Sequence, residues 1–251
     1  MLAILTKKFW NQVKNYIKWM IRKIVKAKIF LFDGYALKSY SQEGEDMILR
    51  RIFERKKIGF YVDVGACHPK RFSNTYFFYK RGWRGINVDA MPGSMKFFQK
   101  IRARDINLEV AISNKKQELT YYMFNEPALN SFSKSLSKER DRKGEYKIYK
   151  EIKIKTFTFE EILDDYLPKD IEIDFLSIDV EGLDFQVLKS NNWCKYKPKI
   201  ILIEALDFSF DKNRNSKIYR FLIDKDYRLL AKTFNTLIFI NKKFFNPENL
   251  K

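Results

Sequence analysis

Apolar residues at Leu2, Leu5, Phe9, Val13, Ile17, Met20, Ile21 and Ile24 recur every three or four positions. On a helix they form one stripe with the lysines largely elsewhere, so the chain is expected to open with an amphipathic helix. Asp33-Gly34 ends that pattern and divides the sequence into an arm, 1–33, and a domain, 34–251. Ser41 reads as a helix N-cap, with Glu43 and Glu45 in the first turn and Met47, Ile48, Leu49, Ile52 and Phe53 behind it. Short apolar runs then alternate with amphipathic ones. Strands are expected at 59–65, 85–89, 106–112, 118–124, 174–179 and 199–203. Helices are expected at 75–80, 93–102, 157–167, 183–190 and 216–223. The stretch 134–155 reads as an exposed basic loop followed by a hairpin, and 227–240 as a terminal hairpin. Such alternation predicts an α/β fold with a mostly parallel sheet and helices on both faces.

Composition narrows the class. Hydrophobic residues make up 45% and aromatics 16% of 251 residues, which excludes a disordered chain. Two cysteines and one histidine exclude a disulfide scaffold and a Cys/His zinc site. The pattern holds no three-carboxylate ligand set, and no metal is expected. No apolar run reaches the roughly 18–20 residues of a membrane span, and no secretory signal is evident, so the expected compartment is the cytoplasm.

Charge adds a partner. Formal net charge is +18, and the first 32 residues hold eight bases and no acid. With Trp10, Tyr16 and Trp19 suited to a headgroup region, residues 1–32 have the composition of a helix lying on an anionic membrane surface, here the inner face. Packing on the domain itself or on a partner is the competing fate. A basic surface can also bind RNA, but no RNA-reading motif is present and nucleic acid is not an expected partner.

Ligands of open α/β sheets bind at the carboxyl ends of strands, where the strand order reverses. Those ends read Asp63-Val64-Gly65-Ala66-Cys67-His68, Asp89-Ala90, Asp179-Val180-Glu181-Gly182 and Glu204. Gly65 permits a tight turn against a ligand. Asp89 lies 26 positions after Asp63, one βαβ step on, where an acid accepts hydrogen bonds from a ribose diol or caps the next helix. The glycines of a dinucleotide fingerprint are missing, as is a Walker A loop, which argues against NAD and ATP and toward a nucleoside without phosphates.

Several segments together carry a resemblance. They are Ser41-Gln42-Glu43-Gly44-Glu45-Asp46, Tyr61 to Pro69, Ser73-Asn74-Thr75-Tyr76, Gly82 to Ala90, and Phe175 to Asp184. In that order, across about 40–239, they resemble the FkbM family of S-adenosylmethionine-dependent methyltransferases. The resemblance implies a class I methyltransferase (Rossmann-like) fold: a seven-stranded sheet whose last strand is antiparallel. It implies S-adenosylmethionine over Asp63, Gly65 and Ala66, with Asp89 and Ala90 at the ribose, Glu109 and Ala111 near the adenine, and Asp179 close by. It further implies O-methylation of a sugar, glycan or glycolipid hydroxyl. Asp179, Glu181 and His68 are the candidate bases. Gln42, Asn74, Asn130 and Glu204 are the candidate acceptor contacts, with Asn130 to Ser133 as a lid. Tyr76 to Tyr79 and Trp83 are either a stacking cluster or core. Cys67 and Pro69 depart from the glycines common in the wider class. The alternative function is a basic RNA- or membrane-binding module on an inactive methyltransferase fold.

Overall fold

A computed structural model describes residues 2–31, 35–206, 208–211 and 216–245. It divides into two units, Met1–Lys38 and Ser39–Lys251. The first is a single helix, α1 (Leu2–Leu31), with side chains described over 10–25. The boundary expected at Asp33-Gly34 lies outside the described residues.

The second unit opens with α2 (Glu45–Ile52), β1 (Phe60–Val64), α3 (Tyr76–Lys80), β2 (Arg84–Asp89), α4 (Met95–Ile101) and β3 (Ile106–Glu109). An inserted region follows: β4 (Ala111–Ile112), β5 (Gln117–Phe124), a short 3-10 turn (Pro127–Leu129), α5 (Lys134–Lys143) and β6 (Ile148–Phe157). The chain then returns through α6 (Phe159–Tyr166), β7 (Phe175–Ile178), α7 (Asp184–Lys189), β8 (Ile200–Glu204), α8 (Lys217–Asp224), β9 (Tyr227–Lys232) and β10 (Thr236–Asn241).

Seven strands form one sheet in the order β3-β2-β1-β7-β8-β10-β9. β1, β2, β3, β7 and β8 run parallel, and β10 is antiparallel to both its neighbours. This is the mostly parallel, Rossmann-like sheet with a reversed late strand that the sequence led us to expect. Strand order reverses between β1 and β7, which places a crevice at their carboxyl ends.

Every residue of β1 and β7 is buried, as parallel strands covered on both faces require. Val62, Val64, Leu176, Ile178, Ile201 and Ile203 pack with Ile162, Leu163, Val187, Leu188 and Leu222 of α6, α7 and α8. The alternate residues Tyr61, Phe175, Ile200 and Leu202 pack on the opposite side with Leu49 of α2, Phe78 of α3 and Trp83. Trp83 is 1% exposed, and its ring centroid is 4.7 Å from that of Phe78. None of the aromatic run 76–79 or Trp83 lines the cavity; Phe78 and Trp83 are core, and Phe77 and Tyr79 pack partly buried against it.

Four local expectations are corrected. Ser41 does not cap α2; Gly44 holds that position at φ +87°, and the Ser41 hydroxyl receives the Asp46 amide instead. The strand expected over 106–112 is split, because Val110 carries the chain from the large sheet into a second, three-stranded one ordered β4-β6-β5. The basic stretch is not a loop. Its first part is α5, opened by the Ser133 side chain and closed by Gly144 at φ +87°. Its second part, β6, pairs with β5 rather than forming a hairpin of its own.

Candidate active site

The ends of β1 and β7 are held unusually close. Gly65 sits at φ +86°, and a Cβ placed there would lie 1.7 Å from the Asp179 carbonyl oxygen. Gly65 and Ala66 both donate their amides to the Val88 carbonyl, and Asp179 donates to that of Val64. Glycine is thus required for both the turn and the approach. Above it opens a cavity of about 510 Å³, within the range of small-molecule sites.

One side of the cavity, at the β1–β2 ends, is built from backbone and small apolar residues: Gly65, Ala66, Val88, Ala90, Val110, Ala111 and Ile112. Its carboxylate is Asp89. One oxygen accepts the Cys67 amide at 2.9 Å and the other the Met91 amide at 2.8 Å. Burial raises the pKa of Asp89, and these two amides oppose the rise.

Asp63 forms part of the floor. It accepts the Thr75 hydroxyl at 2.9 Å. Thr75 in turn receives Arg102 Nη2 at 3.1 Å. Arg102 is itself fully buried, paired with Asp105 at 2.9 Å and hydrogen-bonded to Tyr61 and Asn87. Burial pushes Asp63 up to about 6, with Thr75 and the Arg102 charge pulling the other way.

The other side of the cavity, at the β7–β8 ends, is acidic. One oxygen from each of Asp179, Glu181 and Glu204 lies within 4.8 Å of the other two. The sequence pattern does not reveal this three-carboxylate set; the fold assembles it from two strand ends. Such an array shares protons or holds a hard cation. Although the Asp179 side chain is exposed toward the cavity, the enclosing protein and the neighbouring charges of Glu204 and Glu181 raise its pKa above the usual carboxylate range. Burial, with Glu181 and Asp184 nearby, pushes Glu204 up to about 8. Among the described residues, neither Asp179 nor Glu204 has a hydrogen-bond partner for its side chain.

Glu181 is anchored instead. Arg140 Nη2 donates to its carboxylate at 2.5 Å, and the Ser131 hydroxyl donates to its carbonyl at 2.5 Å. Its backbone stands at φ +54°. Arg140 Nη1 also donates to the Leu129 carbonyl at 3.1 Å, so one guanidinium ties the inserted region to the β7 end. Asn130 accepts the Phe124 amide at 2.7 Å, and both Asn130 and Phe132 face the cavity. The stretch expected as a lid therefore lies over the site.

Most of the residues singled out from sequence come together. Asp63, Gly65, Ala66, Asp89, Ala90, Ala111, Asp179, Glu181, Gln42, Asn74, Asn130 and Glu204 all line the one cavity. Gln42 arrives there because Glu43 and Glu45 bind the β9–β10 turn, at the Asn235 amide and the Thr233 hydroxyl. Asn74 donates to Ser177 of β7 at 3.0 Å.

Two do not join them. Glu109 is exposed, binds the Gly93 amide at 2.8 Å and lies off the lining. His68 lies off it too. Its Nδ1 accepts the amides of Lys70 and Arg71 at 3.1 and 2.9 Å, and partial burial beside Arg71 and Lys70 lowers its pKa. It therefore caps its own loop and does not line the cavity that holds the carboxylates. Arg140, Tyr121, Ser177 and Asn235 line the cavity and were not anticipated. Arg140 lay in a stretch whose charge disguised a helix.

A cavity of about 510 Å³ at the reversal of a 3-2-1-7-8-10-9 sheet, with acids at successive strand ends, defines a Rossmann-like ligand site. The family model described as "Methyltransferase FkbM domain" matches residues 63–229, two thirds of the chain, and the chain belongs to that methyltransferase family. Searches among curated proteins and among solved structures gave no match.

Proposed function

We propose that the protein transfers a methyl group from S-adenosylmethionine to a hydroxyl of a sugar, glycan or glycolipid precursor. The observation that carries this reading is the pairing of two unlike ends in one cavity. One end is small and apolar with a single amide-held acid; the other presents Asp179 and Glu204, whose side chains have no hydrogen-bond partner among the described residues.

The residues present suit the donor. Each Asp89 oxygen accepts one amide and keeps a lone pair for a ribose hydroxyl. Val110, Ala111 and Ile112 give a flat heterocycle an apolar wall. When bound, S-adenosylmethionine supplies an activated methyl group, so the protein's work is positioning and proton removal. In this reading Asp179 receives the proton of the acceptor hydroxyl. Glu181, fixed by Arg140, accepts a second hydroxyl and orients the acceptor, and Glu204 keeps the proton count of the cluster. Gln42, Asn74 and Asn235 add neutral polar contacts for a polyhydroxylated acceptor.

The test is transfer of label from methyl-labelled S-adenosylmethionine to a panel of saccharides and lipid-linked saccharides, in the presence of a chelator. Labelled methyl ether is the expected product. Label found only on amines or carboxylates would overturn the hydroxyl reading. Loss of activity on chelation, restored by magnesium, would replace the carboxylate base with a metal-held acceptor.

A further inference from the structure

Helix α1 carries an apolar face whose described residues are largely exposed. Over its described side chains, Ile17, Met20, Ile21, Ile24 and Val25 are 42–59% exposed. The same stretch carries Lys14, Lys18, Arg22 and Lys23 and no acid. Lys14, Lys18 and Arg22 follow one another at four-residue spacing and share a face, while Ile17, Ile21 and Ile24 share another. Tyr16 and Trp19 are exposed and stack at 5.8 Å, with the Lys23 ammonium 5.4 Å over the Trp19 ring.

We propose that α1 docks on an anionic lipid surface, lying in its plane. Three features select this occupant. The excess of bases without a single acid matches a negative surface. The bulky apolar face has no use on a nucleic-acid backbone but is what an acyl boundary covers. The stacked Tyr16–Trp19 pair with its ammonium has the amphipathic character of the headgroup layer. No helix among the described residues is long and apolar enough to cross a membrane. At 30 residues, α1 would lie along roughly 45 Å of surface. The inference is independent of the reading of the cavity.

Co-sedimentation of the full chain with vesicles tests it. One set is phosphatidylcholine alone, and the other contains added phosphatidylglycerol. Binding is expected only to the anionic set, weakening as salt rises. The pair Ile17→Glu and Ile21→Glu is expected to lower binding at least roughly tenfold through the lost apolar contact. The triple change Lys14→Gln, Lys18→Gln and Arg22→Gln is expected to lower it by a similar factor through charge alone. Thermal unfolding of each variant should match the wild type, since the changes lie outside the Ser39–Lys251 unit. Absence of binding to anionic vesicles, or variants that bind like wild type, would overturn the proposal. So would sedimentation velocity showing a dimer that Ile17→Glu dissolves, which would assign the face to a second copy. Titration of S-adenosylmethionine into the same preparations keeps this outcome separate from that of the active-site reading.

Discussion

At the β1–β2 end of the cavity, both oxygens of Asp89 are held by main-chain amides and the surrounding wall is glycine, alanine and valine. At the β7–β8 end, three carboxylates crowd within 4.8 Å, and among the described residues only Glu181 forms an ion pair, with Arg140. The first end is a largely apolar surface whose one acid is fixed by main-chain amides, suited to holding a ligand still. The second stores electrostatic tension that a substrate, proton or cation would relieve. Unsatisfied charge concentrated on one side of a site is where proton transfer is expected, because like charges at short range raise pKa values toward neutrality. Backbone tension is found at both ends: Cys67 and Phe72 after β1 and Glu181 after β7, three of the positive-φ non-glycine residues, all line the cavity.

The difference can be broken most severely at its junction. In Gly65→Ala the new methyl would collide with the Asp179 carbonyl and the backbone would be strained, so both ends should fail together. A loss of more than about 3 kcal/mol of stability is expected in urea unfolding. A variant as stable as wild type would show that the close approach of β1 and β7 is not fixed.

Asp179→Asn keeps the shape and removes the proton acceptor. A fall in kcat of roughly 10²–10⁴ is expected, with the protein still folded. Unchanged kcat would move the base elsewhere in the cluster.

Glu204→Gln separates charge from shape more gently. The Glu204 carboxyl is raised to about 8, so the folded state binds more protons than the unfolded one between about pH 4.5 and 8. Stability from this group is therefore full at low pH and lost as pH climbs through that window. The glutamine variant should match wild type near pH 5 and exceed it above pH 8. The expected gain is on the order of 1 kcal/mol, reduced by the opening of the cavity to water. Thermal unfolding across pH reads it, and a wild-type advantage at pH 9 would contradict the assignment.

The smallest effect is expected at His68. His68→Ala should leave activity within about threefold and cost no more than about 1 kcal/mol, the worth of its cap to two amides. A large fall in kcat would return the histidine to the chemistry.

The same contrast explains what could be read from the sequence. The β1–β2 end is local: Asp63-Val64-Gly65-Ala66 and Asp89-Ala90 each follow a short apolar strand, so motif and place coincide. The acidic end is assembled. Asp179 and Glu181 were visible at a strand end, but their closeness to Glu204 depends on β7 pairing with β8. Arg140 was hidden because KSLSKERDRK carries no apolar stripe, and α5 is set by its caps. Val110 was swallowed by the alternating stretch INLEVAI, because alternation does not reveal that a strand changes sheet. Arg102 gave no signal at all; its burial follows from Tyr61, Asp105 and Asn87 converging on one face of the sheet. His68 misled by its chemistry, since position beside a glycine turn says nothing about where the ring points.

The central claim is that one end of the cavity binds the donor and the other does the chemistry. Calorimetric titration of S-adenosylmethionine and S-adenosylhomocysteine into wild type, Asp89→Ala and Asp179→Asn tests it directly. The account predicts binding to wild type, a loss of at least roughly tenfold in Asp89→Ala, and a change within about threefold in Asp179→Asn. Equal losses in both variants would contradict the division of labour, and no binding by folded wild type would favour a basic binding module on an inactive fold.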